Sequence, residues 1–197
     1  MVRRNRSRPD AVDFMLEEWR REVPDVDASG MAVFGRLHRA YHRYQDQLNR
    51  IFQSFDLTMA SFSILASLRR AGPPYRRTAG ELADAALVTT GGITQRVDKL
   101  EAAGLVRRDR DPHDRRTVHV QLTEEGLSFT DEVTAAHFAN ERDMLTGLTE
   151  TERDRLADLL SRLESSLDHA AARHAQGYVL RRAAHPAQGS GSSSSPQ

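Results

Sequence analysis

Apolar residues recur at three- and four-residue spacing through most of the chain, the period of helices that bury one face. The first such stretch opens after Pro9, where Asp10 is placed to cap a helix that sets Val12, Leu16 and Trp19 on one side. Pro24 and the acidic residues up to Asp27 end it. A longer helix is expected from about Ser29 to Gln53, with Phe34, Leu37, Tyr41, Tyr44, Leu48 and Ile51 in register and Phe55 continuing the series. Thr58 can cap a third helix that turns Phe62, Leu65 and Leu68 inward until Ala71, Gly72, Pro73 and Pro74 stop it.

Thr78 and Glu81 have capping-box spacing and open a short helix that buries Leu82. After a turn following Ala86 and Leu87, Thr89 or Thr90 is expected to cap the next helix, in which Ile93, Val97 and Leu100 face inward and Gly104 ends the run. Between Leu105 and Leu122 the pattern changes to residues that favour strands, Val106 and then Thr117 to Gln121, around the loop Asp111, Pro112, His113, Asp114. That is a hairpin. Thr123 then caps a helix to about Leu145, with Glu124 and Glu125 at its positive end. Thr149 and Glu152 repeat the capping box before a final helix with a stripe of Leu156, Leu159, Leu160, Leu163 and Leu167.

Two short helices in tandem, a glycine stop and an arginine-bearing hairpin predict a mainly α fold: a winged helix-turn-helix with N- and C-terminal dimerisation helices and one small β-hairpin wing. The expected division is a disordered basic N-terminus (1–9), N-terminal helices with a dimer surface and a possible ligand pocket (10–54), the winged core (55–122), C-terminal dimerisation helices (123–182) and a disordered Gly/Ser/Pro/Gln tail (183–197). The helices at both ends carry more apolar face than a reading head needs, which favours a two-fold homodimer.

Composition narrows the chemistry. Among 197 residues, 28 Lys and Arg balance 28 Asp and Glu, so affinity for a polyanion has to be local and not a property of net charge. The absence of cysteine excludes disulfides, thiolate metal sites and cysteine redox sensing. No apolar run of about 18 residues suits a membrane span, and the basic start lacks the apolar stretch of a signal peptide, so a cytoplasmic protein without membrane partners is expected. No zincin, nucleophile-elbow, P-loop or dinucleotide-binding pattern is present, which leaves no expectation of an enzyme or a cofactor. His38 and His42 are four apart, yet beyond Asp46 no further ligand accompanies them, and no metal site is expected.

Double-stranded DNA is the partner this layout suggests. At about 100° per residue, the side of the second short helix opposite Ile93, Val97 and Leu100 carries Gly91, Gln95, Lys99 and Ala102. Gln95 is the leading base reader, through the bidentate pairing of an amide with adenine, and Gly91 permits close backbone approach. Thr89 and Thr90 either bind phosphate at the helix start or only cap it. In the hairpin, Arg107, Arg108, Arg110, Arg115 and Arg116 alternate with Asp109, Asp111 and Asp114, so not every arginine reaches DNA. The expected division has Asp114 clamping Arg116 to hold the loop, Arg115 entering a minor groove and Arg110 joining the DNA contacts.

From about Ala60 to Glu125 the succession Ile64-Leu65-Ala66-Ser67-Leu68, Glu81-Leu82-Ala83, Val97 through Val106, Asp111-Pro112-His113-Asp114-Arg115-Arg116 and Leu122-Thr123-Glu124-Glu125-Gly126 resembles the MarR family of bacterial regulators. With the flanking helices the resemblance spans roughly residues 10–175. It implies a homodimeric transcription factor, usually a repressor, that a small ligand releases from a palindromic operator. The first helix further resembles that of the family's urate-responsive branch, where a tryptophan, an aspartate and two arginines surround an anionic ligand. Trp19 and Arg96 match that set, whereas Ser63 and Asp84 stand in place of the aspartate and one arginine. Trp19, Ser63 and Arg96 are therefore candidate ligand residues for a planar or anionic metabolite other than urate. Trp19 can equally anchor the first helix in the core. Arg96 lies about 67° from the inward direction, where it can bind a ligand anion, an acidic side chain or a phosphate. The competing class is a helical dimerisation or architectural scaffold protein without ligand control, which a preference for one duplex sequence would exclude.

Overall fold

In a computed structural model the described residues are 8–85, 92–111, 114 and 117–184, with side chains described as far as residue 173. The elements are α1 (Ala11–Glu22), α2 (Met31–Ser54), α3 (Met59–Arg70), β1 (Arg76–Thr78), α4 (Ala79–Ala85), α5 (Ile93–Ala102), β2 (Val106–Arg110), β3 (Val118–Leu122), α6 (Glu124–Met144) and α7 (Glu150–Ala184). They fall into two compact units, residues 1–142 and 143–197.

The caps expected from spacing hold most of the helix starts. Asp10 accepts from the backbone N–H groups of Val12 and Asp13 while Asp13 accepts from that of Asp10, a reciprocal box that satisfies the free donors at the start of α1. Thr58 accepts from Ser61 N–H at α3, and Thr78 with Glu81 closes the box at α4. In the second unit, Thr149 and Glu152 do the same at α7. One expectation changes: the N-cap of α5 is Gly92 and not Thr89 or Thr90. Gly92 has φ 87°, a left-handed conformation that a side chain disfavours, while Thr89, Thr90 and Gly91 lie outside the described residues.

The core of the first unit joins α3, α4, α5 and the strands through Ile64, Leu65, Leu68, Leu82, Ile93, Val97, Leu100, Val106, Val120 and Leu122, all buried. A second cluster, Leu48, Phe52, Phe62 and Val133, ties α2 to α3 and α6, with the rings of Phe52 and Phe62 stacked at 4.7 Å. The wing is more than the expected hairpin. β3 is the central strand of a three-stranded antiparallel sheet, paired with β2 from Val106↔Leu122 to Arg110↔Val118 and with β1 from Arg76↔Gln121 to Thr78↔His119. β1 is only three residues long and shows no alternation that could have announced it. At the other end, α7 runs to Ala184, two residues into the stretch expected to be tail.

The apolar stripes are less covered than their spacing predicts. Trp19 is 51% exposed and is no core anchor; only Val12 and Leu16 are buried on α1. On α2, Leu48 and Phe52 are buried, but Phe34, Leu37 and Tyr41 face solvent. In the second unit Leu156, Leu159, Leu160 and Leu167 are exposed as well.

Where the wing meets α6, Thr123 Oγ1 donates to the carbonyl of Gly104 at 2.7 Å and accepts from Gly126 N–H at 2.8 Å. Thr123 N–H also donates to Leu105 O. A Cβ on Gly126 would fall 1.8 Å from Leu105 O, a backbone atom with nowhere to go. Gly126→Ala is therefore expected to destabilise the protein by about 3 kcal/mol or more through overpacking, read as a fall in the urea midpoint with unchanged slope. A variant that melts like the wild type would contradict this packing.

Candidate nucleic-acid interface

α5 presents two distinct sides. Ile93, Val97 and Leu100 are buried, while Thr94, Gln95, Asp98, Lys99 and Ala102 are exposed, so the outward residues inferred from angular position face solvent as far as they are described. Arg96 is half-buried and leans back over the start of its own helix, its Nη1 lying 3.3 Å from where a Cβ on Gly92 would sit.

The arginines of the wing divide differently from the sequence expectation. Arg108, which none of the assigned roles included, turns away from solvent onto α5. Its Nη2 donates to Asp98 Oδ1 at 2.6 Å and to the carbonyl of Thr94 at 3.3 Å, and its Nη1 pairs with Glu101. The backbone N–H of Arg108 donates to the other Glu101 oxygen at 3.0 Å. Arg107 is held within the sheet by Asp109 at 2.8 Å and by Gln121 at 3.2 Å. Arg110, at the end of β2, is exposed. Asp114 shapes the loop: its N–H donates to Asp111, and its carboxylate accepts from the Thr117 hydroxyl. Its assigned partner Arg116, together with Arg115, lies outside the described residues. His119 of β3 contacts the other oxygen of Asp111 at 3.1 Å, closing the base of the loop.

The three candidate ligand residues are not brought together within the described part of the chain. Trp19 lines a shallow apolar groove with Val23, Val26, Met31 and Phe34. Ser63 lines a different cavity of about 530 Å³, and Arg96 borders neither. That cavity is walled by Tyr41, Tyr44 and Gln45 of α2, by Met59, Phe62, Ser63, Ala66, Arg69 and Arg70 of α3, and by Thr134, His137, Phe138 and Glu141 of α6. Its polar end is organised: Tyr44 OH donates to Glu141 Oε1 at 2.8 Å, and His137 Nε2 approaches the same oxygen at 3.5 Å. Burial, the hydrogen bond to Glu141 and that group's negative charge push the Tyr44 phenol up to about 12, so it keeps its proton at neutral pH. The lining also includes two cations, Arg69, paired with Asp131 of α6, and the exposed Arg70. Sequence reasoning found Ser63 but not its neighbours, because Tyr44 and Glu141 are 97 residues apart and no local spacing links them.

α1 is stapled to α2 by Arg36. Its guanidinium donates twice to Asp10 at 2.9 Å, to Asp13 at 2.7 Å and to the carbonyl of Ala32 at 2.8 Å. Desolvation alone would raise the Asp10 carboxyl, but the Arg36 hydrogen bonds, the N–H groups of Asp13 and Val12 and the guanidinium charge outweigh it and hold the group at about 2.

A tandem helix pair, an exposed second-helix face and a strand-paired wing together define a winged helix-turn-helix DNA-binding protein. The MarR family model matches residues 55–117, the span from the end of α2 to the wing loop. The transcriptional regulator PecS of Dickeya dadantii (strain 3937) is 38% identical over 156 residues, covering 79% of this chain and 94% of PecS. The chain belongs to the MarR family, and is a DNA-binding transcriptional regulator of that family. Among solved structures, BpsR of Bordetella bronchiseptica, studied for regulation of its DNA binding by 6-hydroxynicotinic acid, matches with TM-score 0.59 and 26% identity over 67% of this chain and 92% of BpsR. A mutant of MarR from E. coli complexed with operator DNA matches with TM-score 0.57 and 27% identity, over 74% and 96% of the two chains.

Because Asp10 ionises below its ordinary value of 3.8 in the folded state, its contribution is complete above about pH 4 and disappears as pH falls toward about 2. Emission from Trp19, the single tryptophan, should report α1 leaving α2 within that window. Arg36→Met is expected to move the midpoint upward, and identical acid transitions for the two proteins would refute the staple.

Proposed function

We propose that the protein is a homodimeric repressor that binds a palindromic operator and is released by a small anionic or aromatic molecule. The observation that carries the DNA reading is the open face of α5, where Gln95 and Lys99 stand exposed next to a wing whose Arg110 is also exposed. In this reading α5 enters the major groove, Gln95 pairs with a base edge, and Lys99 and Arg110 hold phosphates. Thr89, Thr90 and Gly91 approach the backbone at the start of α5. Arg115 enters the minor groove while Asp114 and Arg116 fix the loop. The likeness to MarR in its operator complex supports that docking.

Homodimerisation is supported by apolar surface left uncovered in one chain: Phe14, Met15, Trp19, Val33, Phe34, Leu37 and Tyr41 on α1 and α2, and the leucine stripe of α7. A two-fold pair would present two α5 helices to successive turns of the duplex, which a palindrome requires. Among the described residues no single helix is long and apolar enough to cross a membrane, and a protein that acts on the chromosome works in the cytoplasm.

The effector reading rests on the cavity between α2, α3 and α6. Its aromatic walls suit a planar ring, the exposed Arg70 suits an anionic substituent, and the Tyr44–Glu141–His137 end suits a hydroxyl or ring N–H. Regulation of BpsR by 6-hydroxynicotinic acid is consistent with a ligand of that kind. α1 with Trp19 resembles the first helix of the urate-responsive branch, whereas Ser63 and Asp84 favour a molecule other than urate. Trp19 and Arg96 remain candidates for contacts that the assembled dimer would complete.

Fluorescence anisotropy with duplexes tiling the upstream intergenic region should show a preference of about 10³-fold or more over a scrambled duplex at physiological salt. Gln95→Ala should relax discrimination at one base pair per half-site by about 1–3 kcal/mol. Arg110→Ala should weaken all duplexes alike and lower the salt slope by about 1. Equal, weak binding to every duplex would remove the repressor reading in favour of a helical scaffold. For the cavity, 6-hydroxynicotinic acid, benzoate and urate serve as probes of operator release. Ala66→Phe, which fills the space from α3, should bind operator normally yet lose the response to whichever probe releases the wild type. An unchanged response would place the effector elsewhere.

A further inference from the structure

We propose that Arg108 is a positioning residue for DNA recognition: it neutralises the two carboxylates of α5 and fixes the angle between that helix and the wing, without touching DNA itself. The inference rests on the reading that α5 enters the major groove.

α5 carries Asp98 and Glu101 on an element that has to approach a polyanion, and free carboxylates there would repel phosphates. Thr94, Asp98 and Glu101 lie at i, i+4 and i+7, one flank of the helix over two turns. Arg108 meets all three from β2, with the Thr94 carbonyl and Asp98 on one nitrogen and Glu101 on the other. Glu101 in turn accepts from the Arg108 backbone N–H, so strand and helix are joined through main chain as well as side chain. Because Arg108 pairs in register with Val120 of the central strand, the grip on α5 passes directly to the sheet. The Arg108 side chain is 27% exposed against 57% for Asp98, so the cation is the more enclosed partner and its donors are directed inward. Only a planar fork spans these acceptors together; an ammonium is a single point of charge.

The test uses operator and scrambled duplexes over a range of salt concentrations, with thermal melting of each variant. Asp98→Asn/Glu101→Gln removes two negative charges from the helix that meets DNA, so simple electrostatics predicts tighter binding. The clamp predicts the opposite for operator: affinity falls by about tenfold or more while affinity for the scrambled duplex holds or rises. Arg108→Met should lose operator affinity similarly and add little in the neutralised background, since both changes break one network. Arg108→Lys should recover only part. If instead Arg108 contacts phosphate, Arg108→Met will weaken both duplexes equally and lower the salt slope by about 1, and the carboxylate variant will tighten both. That pattern overturns the proposal. Should Arg108→Met fail to fold, the carboxylate variant, which keeps the arginine, decides alone. A wild-type protein that shows no operator preference overturns the groove reading beneath the clamp, and is recognised before any variant is compared.

Discussion

The carbonyl of Leu105 lies where a side chain on Gly126 would have to be. That approach fixes the end of α5, the start of β2 and the start of α6 at one place. Thr123 completes it by bonding to Gly104 and Leu105 on one side and to Gly126 on the other. Gly104, with φ 73°, makes the turn that brings the chain there. The winged core and α6 therefore share a backbone joint, and the buried cluster of α3, α5 and the strands closes around it. Side-chain packing can relax by rotamer changes; backbone in contact with backbone cannot.

What was legible in the sequence follows from range. Asp10, Thr58, Thr78 with Glu81, Thr123 and Thr149 with Glu152 act within three residues of themselves, and each caps the helix its spacing announced. Ile93, Val97 and Leu100 are buried for the same local reason. β1 escaped because three residues carry no usable period, and its existence depends on β3 more than forty residues later. Gly92 displaced the threonines as cap because its left-handed φ is a property of the assembled turn. Arg108 and the Tyr44–Glu141 pair were invisible because their partners come from other elements, and charge alternation in the hairpin offered several pairings of equal merit.

The exposed stripes carry a separate lesson. The spacing of Phe34, Leu37 and Tyr41 correctly marks one side of α2 as apolar, yet that side is uncovered in a single chain. Periodicity reports that a face avoids water, not which surface meets it. Trp19 shows this most plainly: it is in phase with the buried Val12 and Leu16, yet it stands half-exposed on a groove that it shares with Met31 and Phe34 of α2. Likeness to a family groups residues without contact, and within one chain Trp19 and Ser63 occupy different hollows.

The position of β3 between β1 and β2 has a mechanical consequence. The strand that anchors the wing is also bonded to the segment leading straight into α4, so the first helix of the reading pair and the wing share one backbone frame. Among the described residues, a shift of β3 is passed through the two ladders to β2 on one side and to the start of α4 on the other, so the wing and that helix start are displaced together. In the homodimer proposed above, an effector would then act on the gauge, the separation between the two reading heads, more than on the shape of either.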